Sequence, residues 1–203
     1  MRALAMLLIA TAAAANLAQA APPASDPDWP CRQRLVPELT AATFWNGPPL
    51  PENAKWQDDK RLAEAVPALA ARDLPVEDGV ARLNRFADKL KPAERKTVLP
   101  ALFVGLVESV NRERGETIQR IEELARRQRS IGDVVAKVSA ELRAIPPDAQ
   151  GDDAQRRAEI VQRRDFVIRS FEETERTMRY ACDVPVDLEA RLGAYARALE
   201  GRL

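Results

Sequence analysis

Three pairs of neighbouring aspartates stand in this chain: Asp26 with Asp28, Asp58 with Asp59, and Asp152 with Asp153. Paired carboxylates are what glycoside hydrolysis and calcium coordination need. None of these pairs has EF-hand spacing. The last two precede stretches with helical periodicity, where an aspartate caps the first turn. Ser25, Ser109, Ser130, Ser139 and Ser170 lie in no G-x-S-x-G or S-x-x-K context, and no Gly-rich phosphate loop occurs. The chain has no histidine. That removes the commonest general base, the commonest zinc ligand and the usual pH switch. A carboxylate-based hydrolase is the one enzymatic reading left, and no motif supports it. We therefore assign no catalytic residue, no metal ligand and no cofactor.

Two cysteines, Cys31 and Cys182, are the other reactive groups. They form no C-x-x-C, and an even count in an exported chain predicts a disulfide between them. Closing a loop of about 150 residues contributes roughly 5 kcal/mol in the chain-entropy model. All three tryptophans, Trp29, Trp45 and Trp56, fall in one proline-rich stretch. They predict either packing anchors, each burying roughly 150–250 Å², or an aromatic cage for a small apolar or cationic ligand. Finally, Arg143, Arg156 and Arg157 flank a predicted turn, with Glu141, Asp148 and Glu159 interspersed. A salt-bridged surface explains them. The functional alternative is a docking tip for an acidic partner.

The elements that must position these groups begin with a leader. Residues 1–20 have a short positive start, an apolar run from Leu4 to Ala15, and Ala18-Gln19-Ala20 as an A-x-A cleavage site. A cleaved signal peptide and a periplasmic or secreted protein are expected. Residues 21–57 hold eight prolines, at 22, 23, 27, 30, 37, 48, 49 and 51. That density forbids a long helix, while the tryptophans argue against disorder. An extended strap lying on a helical body satisfies both. Residues 58–203 read as a single helical domain. Charged residues make up 31% and aromatics 5%, and the patterning is heptad-like. The 31 basic and 31 acidic residues cancel, so no global field recruits nucleic acid.

Within that domain, Asp58 or Asp59 caps a short helix to about Arg72, with a break expected at Pro67. A second helix runs from about Val76 to Lys89. A third opens at Pro92 and runs to Ile145, either unbroken or kinked at Pro100. Its second half repeats Thr117, Ile121, Leu124, Gln128, Ile131, Val135, Val138, Leu142 and Ile145 in steps of four and three, a coiled-coil seam. Asp152 or Asp153 caps a return helix whose seam includes Ile160, Val161, Val167, Ile168, Phe171 and Met178. Pro185 is expected to end it, and a last helix is expected from Asp187 to about Leu199.

Folding the chain back between Ala149 and Gln150 sets Val138 opposite Val161, Ile131 opposite Ile168 and Gln128 opposite Phe171. It also sets Arg127 by Glu172, Arg126 by Glu173 and Glu123 by Arg176. The fold class predicted is thus all-α: an antiparallel hairpin, with arms of about 115–145 and 153–181, each roughly 45 Å long at 1.5 Å per residue. Its base packs on a small helical bundle crossed by the strap.

Trp29-Pro30-Cys31 with Gln33-Arg34 and Val36-Pro37, then Trp45-Asn46-Gly47-Pro48 and Cys182-Asp183-Val184-Pro185, resembles a family of exported bacterial helical proteins. The resemblance spans most of the mature chain. It implies export and a helical fold, implies no activity, and transfers no functional residue. The expectation from the sequence is an exported non-catalytic interaction or scaffold protein of the cell envelope with an envelope protein as partner, as monomer or homodimer. A small-ligand-binding protein using the Trp strap is the alternative.

Overall fold

The computed structural model describes residues 26–203. The expected leader and its cleavage site lie outside them. Among the described residues the protein is all-α, with four helices: α1 (Lys60–Ala70), α2 (Val76–Asp88), α3 (Pro92–Arg143) and α4 (Asp152–Glu200). The strap holds two short 3₁₀ turns, Ala41–Thr43 and Trp56–Asp58.

α3 and α4 form the antiparallel hairpin. Pro92 opens α3, with the Glu94 side chain accepting from the Lys91 N–H to close the first turn. α3 is one helix of 52 residues through Pro100. At the turn, Gly151 has φ 63°, a region only glycine enters at little cost. Gly151, rather than Asp152 or Asp153, is the N-cap of α4, and the two aspartates sit in its first turn, where carboxylates suit the helix dipole.

The expected break at Pro185 is absent: α4 runs unbroken for 49 residues. The reason is periodicity. Thr174, Met178, Ala181, Pro185, Leu188, Leu192, Tyr195 and Leu199 continue in steps of four and three, so one inward stripe crosses the proline without a change of phase. Keeping that stripe buried outweighs the one backbone bond that Pro185 cannot donate. α1 likewise continues through Pro67, which points outward, and stops at Ala70. Asp59 caps it, accepting from the Arg61 N–H at 2.9 Å.

The core lies at the base. α1 lies on α3, and α2 lies on the end of α4 rather than on α3. Leu62, Val66 and Leu69 of α1, Leu83 and Ala87 of α2, Leu99 to Val110 of α3 and Leu188 to Leu199 of α4 supply it. Two glycines set the spacing. A Cβ at Gly105 would sit 2.8 Å from Val66 Cγ2 and 2.9 Å from Trp56 Cδ2. One at Gly79 would collide with the Tyr195 hydroxyl, which donates to Leu69 O at 3.1 Å.

A second, smaller cluster closes the far end of the hairpin: Val138, Leu142, Ile145 and Ile160, with Ala149 and Val161 against them. The turn therefore buries apolar surface through Ile145 and Ala149. Between the two clusters, Ile131, Val135, Ile168 and Phe171 are only half-buried, because two helices alone cover their seam from two sides. Val138 and Val161, opposite each other by the fold-back point, share the tip cluster. Glu141 pairs with Arg163, and Gly132 lies beside the Phe171 ring. None of the expected pairs Arg127–Glu172, Arg126–Glu173 and Glu123–Arg176 forms among the described residues. Arg126 turns instead to the strap.

Candidate functional site

The strap is held by a stripe of side chains on α3. Glu108, Asn111 and Arg114 are three residues apart, so they form one slanting row. Glu108 accepts from Trp56 Nε1–H at 2.7 Å. Asn111 accepts from the Leu39 N–H and donates to the Leu39 carbonyl, both at 2.9 Å, as a neighbouring strand would. Arg114 donates from Nε to the Val36 carbonyl at 2.8 Å, and from Nη1 to the Pro185 carbonyl at 2.9 Å. Its guanidinium also lies 2.9 Å from Glu189. Further along, Arg126 and Arg129 both bind Asp28. Their guanidinium groups hold the Asp28 carboxyl below its ordinary range, Arg126 contributing most. The strap thus runs antiparallel to α3, from Arg129 down to Glu108.

Arg114 is 1% exposed, and sequence reasoning missed it. The spacing does mark it: continued backwards from Thr117 in steps of three and four, the seam passes through Arg114, Val110, Val107 and Phe103 and misses the exposed Arg112. A second signal is that Glu108, Asn111 and Arg114 are polar residues adjoining the most apolar part of α3.

The predicted site residues divide into three groups. Cys31 and Cys182 stand at disulfide distance, Cα–Cα 5.6 Å. Beside them Gln33 Nε2 donates to the Cys182 carbonyl, so the strap meets α4 one turn before Pro185. Trp45 and Trp56 are buried in the base core, each 8% exposed. Trp45 stacks on Phe103 with ring centroids 5.0 Å apart and donates to the Pro48 carbonyl at 2.7 Å. Trp29 is half-buried and donates to the Gln33 carbonyl at 2.7 Å. The three rings therefore serve separate stretches of strap and do not converge on one cage.

No family model matches this chain, and no curated protein or solved structure is similar to it.

The third group is at the hairpin's far end. Arg143 closes α3, and Arg156 and Arg157 lie in the second turn of α4. Arg143 and Arg156 are exposed. None of the three joins an ion pair among the described residues, and the buried Nε of Arg157 has no hydrogen-bond partner there. Arg156 faces a shallow cleft shared with Glu141, Glu159 and Arg163.

The carboxylate pairs have local roles: Asp28 ties down the strap, Asp59 caps α1, and Asp152 with Asp153 opens α4. Among the described residues no cluster of three metal-ligating side chains occurs, and no helix is long and apolar enough to cross a membrane.

Proposed function

We propose that this is an exported, non-catalytic interaction or scaffold protein of the cell envelope that presents the tip of its hairpin to a partner protein. One observation carries the reading. The tip has its own packed cluster, Val138, Leu142, Ile145 and Ile160, separate from the base. The 28 residues from Val110, at the edge of the base core, to Val138 span about 42 Å of helix at 1.5 Å per residue. An end that is packed and also held far from the main core is suited to reaching. Arg143, Arg156 and Arg157 join no ion pair among the described residues and, although Asp148, Asp152 and Asp153 lie beside them, are free to meet the carboxylates of an acidic partner. The cysteine pair at disulfide distance agrees with an oxidising compartment.

The test is site-specific photo-crosslinking in the periplasm from the exposed positions Ala144 and Asp148, with and without reversal of Arg143, Arg156 and Arg157 to Glu. The expected result is a discrete crosslinked protein that disappears on reversal, with the melting temperature unchanged. If no crosslink forms from either position, or if it survives the reversal, the docking surface is elsewhere.

A further inference from the structure

We infer that the groove between α1 and α2 is a second docking surface, for a short amphipathic segment of a partner protein that carries large apolar side chains flanked by carboxylates. The inference is independent of the tip, and it would stand if the tip proved to be only a turn.

The groove is built by residue size. α1 presents Arg61, Glu64, Ala65 and Ala68, spaced i, i+3, i+4 and i+7 along one face. The two alanines are too small to fill the space beside α2. α2 answers with Arg82, Arg85, Phe86 and Lys89, also on one face. Between them lie two adjoining cups of about 230 and 360 Å³, which share Ala65, Phe86 and Lys89 as common walls. Leu69 and Leu90 close the floor. Phe86 is half-buried and stands at the junction.

The charge of the rim selects the occupant. Arg61 already pairs with Asp59 at 2.7 Å. Arg82, Arg85 and Lys89 are exposed, and their side chains join no ion pair or hydrogen bond among the described residues. Glu64 is the one carboxylate in the lining. The chain's net charge is zero, so three unpaired cations around an apolar floor are a local asymmetry. They match a ligand with apolar anchors and flanking carboxylates, and they repel a basic one.

Shape decides between a protein segment and a free amphiphile. A small-molecule pocket encloses most of its ligand's surface, whereas both cups are open to solvent along their length. Open, paired depressions suit successive apolar side chains of a segment laid in a groove. α1 is 11 residues long, about 16 Å, enough for roughly three turns of a docked helix.

The experiment measures fluorescence anisotropy of labelled amphipathic helical peptides of Leu, Ala and Glu, with Leu at i, i+4 and i+7 in shifted registers, added to the disulfide-intact protein. Matched peptides with Lys for Glu are the charge control. Reversing Arg82, Arg85 and Lys89 together to Glu should weaken binding of the acidic peptide by at least about tenfold at low salt. Reversing the three tip arginines should leave it unchanged. In the unaltered protein, hydrogen exchange should show new protection confined to α1 and α2, a readout that holds if the reversed variant folds poorly. The inference fails if no acidic peptide binds, if Lys peptides bind as well, or if protection appears elsewhere. It also fails if dodecanoate binds the groove more tightly than any peptide, which would make the site one for an anionic amphiphile.

Discussion

Replacing Arg114 by methionine tests the mode of strap docking most directly. The Arg114 side chain is 1% exposed, and Glu189, its ionic partner, is 42% exposed. The glutamate can therefore rehydrate when the guanidinium is removed, and the loss of the ion pair itself is worth less than about 1 kcal/mol. The two carbonyls cannot be replaced so easily. Val36 O and Pro185 O each lose a charged donor at 2.8 and 2.9 Å, and bonds to charged groups contribute roughly 1.5–3 kcal/mol each. Methionine refills much of the aliphatic volume, and Pro185 O remains available to the helix ladder. The net cost expected is about 2–4 kcal/mol. For a protein of this size that lowers the melting temperature by roughly 5–15 °C, read by circular dichroism at 222 nm. Arg114→Lys should recover only part of the loss, because an ammonium lacks the planar fork that reaches three acceptors at once. Glu189→Gln should cost less than about 1 kcal/mol. If Arg114→Met melts within 1–2 °C of the unaltered protein while the strap stays protected from protease, the strap is held by the tryptophans alone and the polar row on α3 is incidental.

Other outcomes follow from the same geometry. Gly79→Ala should be destabilising, by roughly 1–3 kcal/mol as for overpacking, because its Cβ would lie 2.5 Å from Tyr195 Cζ as well as against the hydroxyl. An unchanged melt would count against the clash. Trp45→Ala should cost roughly 3–5 kcal/mol; an unchanged melt accompanied by lost ligand or partner binding would move Trp45 from packing to recognition. Thiol labelling of the unreduced, denatured protein should find neither Cys31 nor Cys182 reactive. The Asp28 carboxyl has a lowered pKa in the folded protein, so its contribution is fully present above the unfolded value of about 3.9 and is lost as pH falls through the folded value. The Trp29 indole N–H resonance should therefore keep its docked position through about pH 4 and shift only at the lower pH where the folded carboxyl protonates, and Asp28→Asn should show the undocked position already at neutral pH.

Much of this fold was legible because helical burial writes itself as spacing. The inward faces of α1, α2 and the last turns of α4 were all readable from steps of three and four. Pro185 was misread because a local rule, that proline ends helices, was set above a longer pattern that ran through it unchanged. The ion pairs between the arms were misread for another reason: the charges were matched without the strap as a competitor. Arg126 had a third option in Asp28, and no property of the two arms could disclose it. The polar row of Glu108, Asn111 and Arg114 was hidden in the same way. Most of its partners are backbone groups, of Val36, Leu39 and Pro185, and a backbone group leaves no mark in a sequence.

The strap also explains why the hairpin divides as it does. It contacts α3 up to Arg129, and the cysteine pair and Gln33 secure it to α4 at Cys182. Below that level α3 and α4 have a third surface against them, and the polar groups they turn outward are matched: Arg114, Asn111 and Glu108 on one helix, the Cys182 and Pro185 carbonyls on the other. Above it they have only each other, and the seam residues Ile131, Val135 and Ile168 stay half-open until the tip cluster closes around Val138. A hairpin whose sole task was to stabilise the base would have no use for the upper section, since the base core is complete without it. The helix beyond Arg129 adds roughly 20 Å of reach with sparse burial along most of it. That cost of ordering two helices without a matching core accords with the presenting role proposed for the tip.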